Sequence, residues 1–524
     1  MSPAIPQNKD WQASFDLLAD PATYGLSDDG VERIDTSISV IFLAGAYAYK
    51  LRKPIKLNFL DFSTTQLRRR DCEREVALNR RTAPALYLGV VPITRAEDGT
   101  LVLDGAGHAV EWVVRMHRFD RAQMLDVQAE RGVLTIATIE QLAADIARFH
   151  EALPPEPDWG GAENFNRTLL LNDEQYRDFA DDIFTSAAID RLSGASKAAL
   201  DRVAGTLDAR RQAGWVRHCH GDLHLGNICC LDGVATPFDC IEFSDAIARI
   251  DLLYDLAFLL MDLWHRGLGR HANACLNRYL VSLTPAACDA ALAGLGLLPL
   301  FLSCRAGVRA FVTARTCRSH PDDPALPDTA RAYFSLAEEF LAPAPPRLVA
   351  VGGLSGSGKS VLARALAPAI GAAPGAVLLR SDEIRKQLWG RALTDKLPPE
   401  AYTKAASDTV YDTLRQRART ALQTGHSVIA DAVHARPEER HALEAVAIEQ
   451  AARFDGLWLN APEPVLTARV DARRGDASDA DARVVRQQRN YRLGEIGWHK
   501  ISAAGTPEDT HARARHALAH IDRQ

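Results

Sequence analysis

The stretch RLVAVGGLSGSGKSVLARALA, residues 347–367, decides the fold of the last third of this 524-residue chain. An apolar, strand-like run leads into the spacing G-x-x-x-x-G-K-[ST] at residues 353–360, and a helix-like run follows. Glycines at these positions let backbone N–H groups close around phosphate oxygens, and a helix N-terminus favours negative charge. The pattern predicts a phosphate-binding loop (P-loop) in an α/β domain with a mainly parallel sheet.

The loop residues are predicted to bind the phosphates of ATP. Within the loop, Lys359 is expected to reach the β- and γ-phosphates, and the hydroxyl of Ser360 is expected to ligate Mg²⁺. The predicted nucleotide-binding residues are Gly353, Leu354, Ser355, Gly356, Ser357, Gly358, Lys359 and Ser360.

Two further strand-like runs end on acidic residues. VLLRSD ends at Asp382, with Arg385 one turn later, and SVIAD ends at Asp431. The carboxyl ends of parallel strands border the ligand crevice, so Asp382 and Arg385 are candidate catalytic residues and Asp431 a candidate magnesium acid. Each aspartate could instead cap a helix.

An arginine-rich segment follows in LTARVDARRGDASDADARVVRQQ, residues 466–488. It is typical of a flap that closes over a transferring phosphoryl group, or of a solvated helix face. Arg473 is the predicted catalytic arginine, although the sequence leaves open which of Arg469, Arg473 and Arg474 contacts the phosphates.

Residues 347–524 resemble the P-loop kinases of small molecules and polynucleotides, which include gluconate kinase, polynucleotide kinase and zeta-toxin-like proteins. The motif SDEIRKQL, residues 381–388, carries part of the resemblance. It implies that Asp382 accepts the proton of an attacking hydroxyl, with Arg385 beside it.

A second motif lies upstream in HGDLHLGNICCLDGVATPFDCIEF, residues 220–243. His220, Asp222 and Asn227 fit the kinase catalytic-loop spacing H-x-D-x-x-x-x-N, and Asp239 follows an apolar strand. Asp222 is the predicted catalytic base, while Asn227 and Asp239 are the predicted metal ligands. His224 is expected to pack within the loop, and Glu242 to bond backbone.

This stretch resembles aminoglycoside phosphotransferases and choline kinases, with Gly221 where protein kinases carry arginine. The resemblance implies a bilobal, protein-kinase-like α+β fold in which Asp251 and Asp255 are structural acids. It also implies a strand lysine that holds the nucleotide phosphates: Lys50, or alternatively Lys53, paired with Glu75.

The first lobe has a predicted hinge strand, a predicted helix cap and an unusual first hairpin. The strand around Val114 and Met116 is expected to form the adenine hinge. Ser63 and Gln66 match the spacing of a capping box for the helix that carries Glu75. The first hairpin, SVIFLAGAYAY, lacks a G-x-G-x-x-G phosphate loop, which raises the alternative that this domain senses a ligand.

A proline-rich segment indicates the domain organisation of the chain. APAPP at residues 342–346 predicts a stiff linker between residues 1–341, divided into lobes of about 1–116 and 117–341, and residues 347–524. The net charge of −6 does not favour nucleic acid as a partner. Nine cysteines without a regular spacing indicate reduced thiols.

The N-terminus lacks a signal-peptide pattern, and the apolar stretch 286–304 contains Asp289 and Pro299. We therefore expect a cytoplasmic protein without membrane insertion; the sequence does not give its oligomeric state.

The principal hypothesis is a bifunctional kinase in which two centres use ATP and Mg²⁺ to phosphorylate hydroxyl groups of small or nucleotide-like acceptors. Two alternatives stay open: a P-loop kinase regulated by a ligand-sensing, catalytically weak first domain, and a polynucleotide 5′-hydroxyl kinase.

Overall fold

The computed structural model describes residues 8–27, 30–57, 60–473 and 475–521. Along these ranges the chain forms a small antiparallel sheet with one long helix, then a mainly helical lobe, and then an α/β unit with an all-parallel sheet. This order is the predicted one: a bilobal kinase-like fold followed by a P-loop domain.

The first lobe is a six-stranded sheet in the order β1-β2-β3-β8-β6-β7, with α2 packed on one face. Strand β3 is central and buried, so its side chains reach the interior of the lobe. The elements are α1 Lys9–Ala19, β1 Val31–Asp35, β2 Ser39–Ala44, β3 Tyr47–Arg52, β4 Lys56–Leu57, β5 Leu60–Asp61, α2 Thr65–Asn79, β6 Tyr87–Arg95, β7 Leu101–Leu103 and β8 His108–His117.

The second lobe surrounds two apolar helices, α8 and α11, which are buried along most of their length. Its elements are α3 Leu125–Glu130, α4 Ile136–Ala152, α5 Gly161–Arg177, α6 Ser186–Gln212, β9 Val216–His218, β10 Ile228–Leu231, β11 Val234–Pro237, α7 Asp245–Ala248, β12 Arg249–Asp251, α8 Leu252–His265, α9 Gly269–Ser282, α10 Pro285–Gly294, α11 Leu298–Ser319 and α12 Ala325–Phe340.

The third unit is a five-stranded parallel sheet in the order β14-β15-β13-β16-β17. Its elements are β13 Arg347–Gly353, α13 Lys359–Leu366, β14 Val377–Arg380, α14 Ser381–Leu388, α15 Lys404–Gln423, β15 Val428–Asp431, α16 Pro437–Glu449, β16 Arg453–Asn460, α17 Glu463–Ala472, α18 Ala482–Gln488, β17 His499–Ser502 and α19 Pro507–Ile521. Because the strands are parallel, β13, β14 and β15 deliver their last residues to one edge.

Two local expectations were wrong. Helix α2 is capped by Thr64, whose side chain accepts the N–H of Leu67, so the cap lies one residue beyond Ser63. The hairpin SVIFLAGAYAY is the second one, β2–β3, with a two-residue turn at Gly45 and Ala46. The first hairpin is β1–β2, so the turn that precedes the lysine-bearing pair of strands spans residues 36–38.

The segment 342–346 contains neither helix nor strand, and it separates α12 from β13. All nine cysteines lie in the described ranges as free thiols. One described stretch, Pro285–Ser319, is long and apolar enough to span a membrane, but 72% of its most apolar window is buried. Burial by neighbouring helices accounts for its apolar composition.

Candidate active sites

The catalytic-loop motif of the second lobe brings Asp222 and Asn227 into direct contact. The amide nitrogen of Asn227 donates to the Asp222 carboxylate (2.7 Å) and to its carbonyl (3.0 Å). This orientation turns the amide oxygen of Asn227, the atom that metal binding requires, away from Asp222. The imidazole of His224 lies 3.4 Å from the same carboxylate and also accepts the N–H of Gly226. His224 therefore caps the loop and contacts the predicted base.

Two aspartates of helix α8 anchor the backbone of this catalytic loop. The carboxylate of Asp255 accepts the backbone N–H groups of Gly221 (2.8 Å) and His220 (3.2 Å), and that of Asp262 accepts the N–H of Leu225 (2.9 Å). A fully buried His150 contacts the same Asp255 oxygen, Oδ2, that accepts the N–H of His220, at 3.1 Å. Because these anchors are buried, the loop backbone is fixed before any ligand arrives.

The strand lysine and the metal-ligand candidate meet across the two lobes. Lys50 on β3 donates to Glu75 of α2 (2.8 Å) and to Asp239 (2.6 Å), although Asp239 lies 189 residues further along the chain. Asp239 has a left-handed backbone (φ 57°), a conformation that non-glycine residues adopt mainly where the site requires it. The alternative lysine, Lys53, instead bonds the carbonyl of Thr36.

A second buried cation was missed from the sequence. Arg52 is fully buried two residues after Lys50 and forms ion pairs with Asp71 (2.7 Å), Glu75 (2.6 Å) and Glu242. Glu242 therefore pairs with Arg52 rather than with backbone, contrary to expectation. The i, i+2 spacing on one strand was the available signal, because such residues share a face.

The surrounding charges shift the pKa values of the carboxylates in this first site in different directions. Burial alone would raise the pKa of Asp222, but the imidazoles of His224 and His220 and the Arg309 guanidinium hold it well below its usual range. Burial likewise opposes ionisation of Asp239, yet Lys50 lowers its pKa. For Glu242 burial dominates and raises the pKa to about 8. Asp222 and Asp239 are thus ionised at neutral pH, as a base and a metal ligand must be.

The hinge candidates lie on β8. Val114 faces Lys50 of β3 on one side and Val90 of β6 on the other, so it sits in the middle of the sheet. Met116 lies one residue before the end of β8 and is buried.

The P-loop connects β13 to α13 as predicted. Gly356 and Gly358 have φ values of 82° and 91°, which only glycine adopts readily, and a Cβ on Gly356 would lie 2.4 Å from the carbonyl oxygen of Leu466. The buried hydroxyl of Ser357 has no hydrogen-bond partner among the described residues. Lys359 donates only to the carbonyl of Leu354 (3.2 Å) among its recorded hydrogen bonds. The loop thus offers donors of the kind that phosphate oxygens accept.

The magnesium candidates of the third unit converge. The hydroxyl of Ser360 donates to the carboxylate of Asp431 at 2.5 Å, which joins the ends of β15 and the P-loop in a cluster of oxygen ligands suited to Mg²⁺. Burial lowers the pKa of Lys359, while the neighbouring Asp431 and Asp382 carboxylates oppose that shift. Asp382 therefore lies near the lysine that is predicted to hold the phosphates.

Arg380, immediately before the motif SDEIRKQL, was also missed. This buried guanidinium contacts the Ser360 hydroxyl (3.0 Å), Asp431 (3.2 Å) and Asp476 (3.0 Å). Asp476 belongs to the predicted flap, so Arg380 ties the flap to the magnesium candidates. The only sign of this role in the sequence is that Arg380 stands just before the acidic residues at the end of a predicted strand.

The arginines that the sequence offers for the second centre have different contacts from one another in the structure. Arg385 donates to the carbonyl of Ala401 and lies over the ring of Tyr402 (4.9 Å). Arg469 donates to the carbonyls of Ala503 and Gly505, both at 2.8 Å, and so anchors α17. Arg473 lies close enough to Lys359 to lower its pKa. Arg474 is outside the described residues.

Comparison with known proteins assigns both parts of the chain. Residues 59–290 match the family model "Phosphotransferase enzyme family", and residues 348–493 match the model "AAA domain". The chain joins a phosphotransferase-family domain to an AAA domain. Both are kinase-type domains, so the protein is a phosphotransferase enzyme. The first match begins at residue 59, beyond the strand that carries Lys50.

Similar proteins match this chain over nearly its whole length. Uncharacterized proteins of Mycobacterium tuberculosis and Mycobacterium bovis are 29% identical over 490 residues, which cover 92% of this chain and 94% of theirs.

Among solved structures, a choline/ethanolamine kinase family protein from Mesorhizobium loti is 13% identical and covers 63% of this chain and 94% of its own, with a TM-score of 0.39. A gluconokinase from Sinorhizobium meliloti is 22% identical and covers 34% and 93%, with a TM-score of 0.25. Likenesses of this size carry no functional argument, so the assignment rests on the two family models.

Proposed function

We propose that the protein has two phosphoryl-transfer centres, each of which moves the γ-phosphoryl group of Mg-ATP to a hydroxyl of a small acceptor. The first centre lies in residues 1–341 and the second in residues 347–524. The observation that carries the proposal is convergence: in each unit a lysine, a metal-binding acid and a candidate base come together from separate elements.

In the first centre, Asp222 orients the acceptor hydroxyl and takes its proton. Asn227 and Asp239 hold the metal ions, and Lys50, fixed by Glu75, holds the α- and β-phosphates. The metal and the lysine supply the positive charge that a loose phosphoryl-transfer transition state requires, so these side chains need only position and neutralise. The low pKa of Asp222 keeps its carboxylate ionised, so that it can accept a hydrogen bond from the acceptor hydroxyl and orient it.

In the second centre, residues 353–360 hold the nucleotide phosphates through backbone N–H groups and Lys359. Ser360 and Asp431 hold the magnesium ion. Asp382 receives the acceptor proton, while Arg385 and Arg473 neutralise charge on the transferring group. The position of Asp382 in the first turn of α14, near Lys359, supports this assignment.

The decisive experiment measures acceptor-dependent ATP consumption across a panel of sugars, amino alcohols and nucleosides for the wild type, Asp222→Ala and Asp382→Ala. We expect each variant to lose about 10³-fold or more of the turnover of one acceptor class and none of the other. Exposed aspartates in the same domains provide matched controls, Asp201→Ala and Asp412→Ala. If neither active-site variant loses turnover, the proposal is wrong.

A specific observation supports a second candidate for the first domain. Its β1–β2 turn is glycine-free, and the hydroxyl of Thr36 accepts the N–H of Ser39, so the turn closes on itself. In this alternative the domain senses a ligand and regulates the P-loop centre. Calorimetry of the wild type with the same panel separates the two: tight binding without Asp222-dependent transfer favours the sensor.

The assignment as a polynucleotide 5′-hydroxyl kinase stays a prediction, as does the cytoplasmic location. End-labelling of short 5′-hydroxyl DNA and RNA tests the former, and a negative result removes it.

A further inference from the structure

The parallel sheet of the AAA domain has an open edge at β14. Among the residues that the structure describes, strand β14 pairs only with β15, through the side on which Val377 donates to the carbonyl of Ser427 (2.9 Å). The carbonyl of Ala376 and the N–H of Leu378 therefore point away from the sheet. Unpaired groups on an edge strand need a partner, because a buried backbone donor or acceptor without one costs free energy.

Helix α9 of the phosphotransferase domain supplies that partner. The Asn277 side chain accepts the N–H of Leu378 (2.7 Å) and donates to the carbonyl of Ala376 (3.2 Å). Asn273, one turn earlier on α9, donates to the same carbonyl at 3.0 Å. One amide thus reproduces the donor and acceptor pattern of a neighbouring strand. We name this contact between Asn273, Asn277 and β14 the edge clamp.

A second contact holds the far end of α14. Gln387 is buried and donates to the carbonyl of Leu283, just beyond α9, at 2.7 Å. Its own oxygen accepts from Arg417 (2.6 Å), which also pairs with Asp289 of α10 at 2.7 Å. These hydrogen bonds link Leu283, Gln387, Arg417 and Asp289 in one continuous network between the two domains.

Apolar packing makes the two domains continuous. Leu348 and Ala350, on one face of the sheet, belong to the same buried cluster as the helices of the phosphotransferase domain. Val349 and Val351, on the opposite face, pack in a separate cluster with α13 and α19. The face that carries Leu348 and Ala350 packs on α15 and α16 of its own domain, and this packing continues into the phosphotransferase domain through α9 and α10.

Between the two contacts lies the candidate base. Strand β14 runs without a break into α14, so Asp382 is four residues from the clamped N–H of Leu378 and five from Gln387. Helix α9 is itself held, because Tyr279 bonds His150 (3.0 Å), which bonds the loop anchor Asp255. The support for Asp382 is therefore a fixed helix of the other domain.

We propose that α9 of the phosphotransferase domain is a structural part of the P-loop centre, with Asn277 and Gln387 as positioning residues that set the location of Asp382. The inference deepens the proposed function and rests on it. It makes turnover at the second centre dependent on the first domain, while nucleotide binding by residues 353–360, on the far side of β15, stays independent.

The first test is amide hydrogen exchange on the wild-type full chain. The edge clamp predicts that the N–H of Leu378 exchanges as slowly as that of Val377, whose partner lies within the sheet. Exchange of Leu378 at the rate of an exposed edge amide overturns the inference. This measurement needs no variant and no substrate, so it decides the clamp even if the substitutions below prevent folding.

The second test uses Asn277→Ala and the equal-sized Asn277→Asp, which loses the donation to Ala376. Asn164→Ala and Asn164→Asp, at a half-buried asparagine of α5, are the controls. All are made in an Asp222→Ala background, which silences the first centre, so slow ATP hydrolysis reports on the second. A fluorescent ATP analogue measures nucleotide binding separately.

We expect the Asn277 variants to lower kcat for hydrolysis about tenfold or more, because small misplacements of a catalytic group have effects of that size, with the Kd of the analogue unchanged within about twofold. Gln387→Ala should behave alike. Unchanged kcat with Asp382→Ala inactive overturns the inference and leaves the proposed function standing. A background protein that neither hydrolyses ATP nor consumes it with any acceptor of the panel refutes the proposed function of the second centre, and the exchange result then decides the clamp.

Discussion

Replacement of Arg52 by methionine removes the cation at the centre of the buried charge cluster while keeping the side-chain volume nearly constant. Arg52 pairs with three carboxylates, those of Asp71, Glu75 and Glu242, and all four residues are buried. In the variant Glu75 retains Lys50 at 2.8 Å, but Asp71 and Glu242 lose the cation in contact with them, and the Lys50 charge acts on them from further away.

The size of the effect follows from these contacts. Removing one partner of a buried ion pair destabilises a protein by about 3–5 kcal/mol, because the other charge stays buried without compensation. Uptake of a proton by the orphaned acids limits the loss, since the pKa of Glu242 is already about 8. We therefore expect Arg52→Met to lose about 3–5 kcal/mol of the free energy of unfolding, a large part of a typical 5–15 kcal/mol.

Lys50→Met is the matched variant. Its partner Glu75 keeps Arg52, and the side chain of Asp239 is 42% exposed, so water compensates its charge. We expect a loss under about 2 kcal/mol, together with loss of turnover at the first centre. The two cations, two residues apart on one strand, thus differ in role: Arg52 stabilises the lobe and Lys50 serves the nucleotide.

Urea unfolding followed by far-UV circular dichroism measures the difference. A loss of 3–5 kcal/mol moves the midpoint of the affected transition by about 1–2 M. Adding Glu242→Gln to Arg52→Met should leave the midpoint nearly unchanged at pH 7, because a Glu242 with a pKa of about 8 is already mostly protonated there. The reasoning is refuted if the Arg52→Met midpoint lies within about 0.3 M of wild type, or if Lys50→Met is the less stable variant.

Three further substitutions test other parts of the structure. Glu242 binds a proton more tightly in the native state, with a pKa of about 8, than in the unfolded chain, so its contribution is full at low pH and is lost as pH rises from 4.5 toward 8. The melting temperature of wild type should fall across this range and that of Glu242→Gln should fall less, whereas parallel profiles contradict this. Gly356→Ala should lower the free energy of unfolding by about 2 kcal/mol or more and weaken binding of the fluorescent ATP analogue, because φ at Gly356 is 82° and the added Cβ would clash with backbone. Gly425→Ala is the control, because Gly425 has nearly the same φ, 81°, but open space around it. If the two variants lose equal stability, a backbone clash at Gly356 is refuted. Asp255→Asn should lower kcat of the first centre about tenfold or more with an unchanged KM for ATP, since it disturbs the catalytic-loop amides; initial-rate kinetics check this, and a pure KM effect counts against it.

The sequence predicts the site residues that belong to short, contiguous motifs. The P-loop at residues 353–360 was predictable because strand, glycine turn and helix are adjacent in the chain and each has its own signal. The catalytic loop was predictable for the same reason, since Asp222 and Asn227 are five residues apart. The helix cap at Thr64 was placed one residue early, because Ser63 and Thr64 offer the same hydroxyl chemistry and only backbone geometry selects between them.

The residues that sequence reasoning missed act through long-range contacts. Arg52 and Arg380 are ordinary arginines until folding surrounds each with carboxylates from other elements. Asn277 has no motif at all, and its partner Leu378 lies 101 residues away. Charge and hydrogen-bonding capacity are visible in a sequence, but the partner that satisfies them is not.

The sequence by itself determined the two kinase-type units, their order and the side chains of their motifs, because phosphate binding demands particular residue types at short, fixed spacings. Only the tertiary structure decided that Lys50 reaches Asp239, that Arg52 and Arg380 neutralise buried acids, and that α9 closes the open edge of β14. Those contacts join separate elements, about 20 to 190 residues apart, where the packing of whole elements, rather than any local preference, sets which side chains meet.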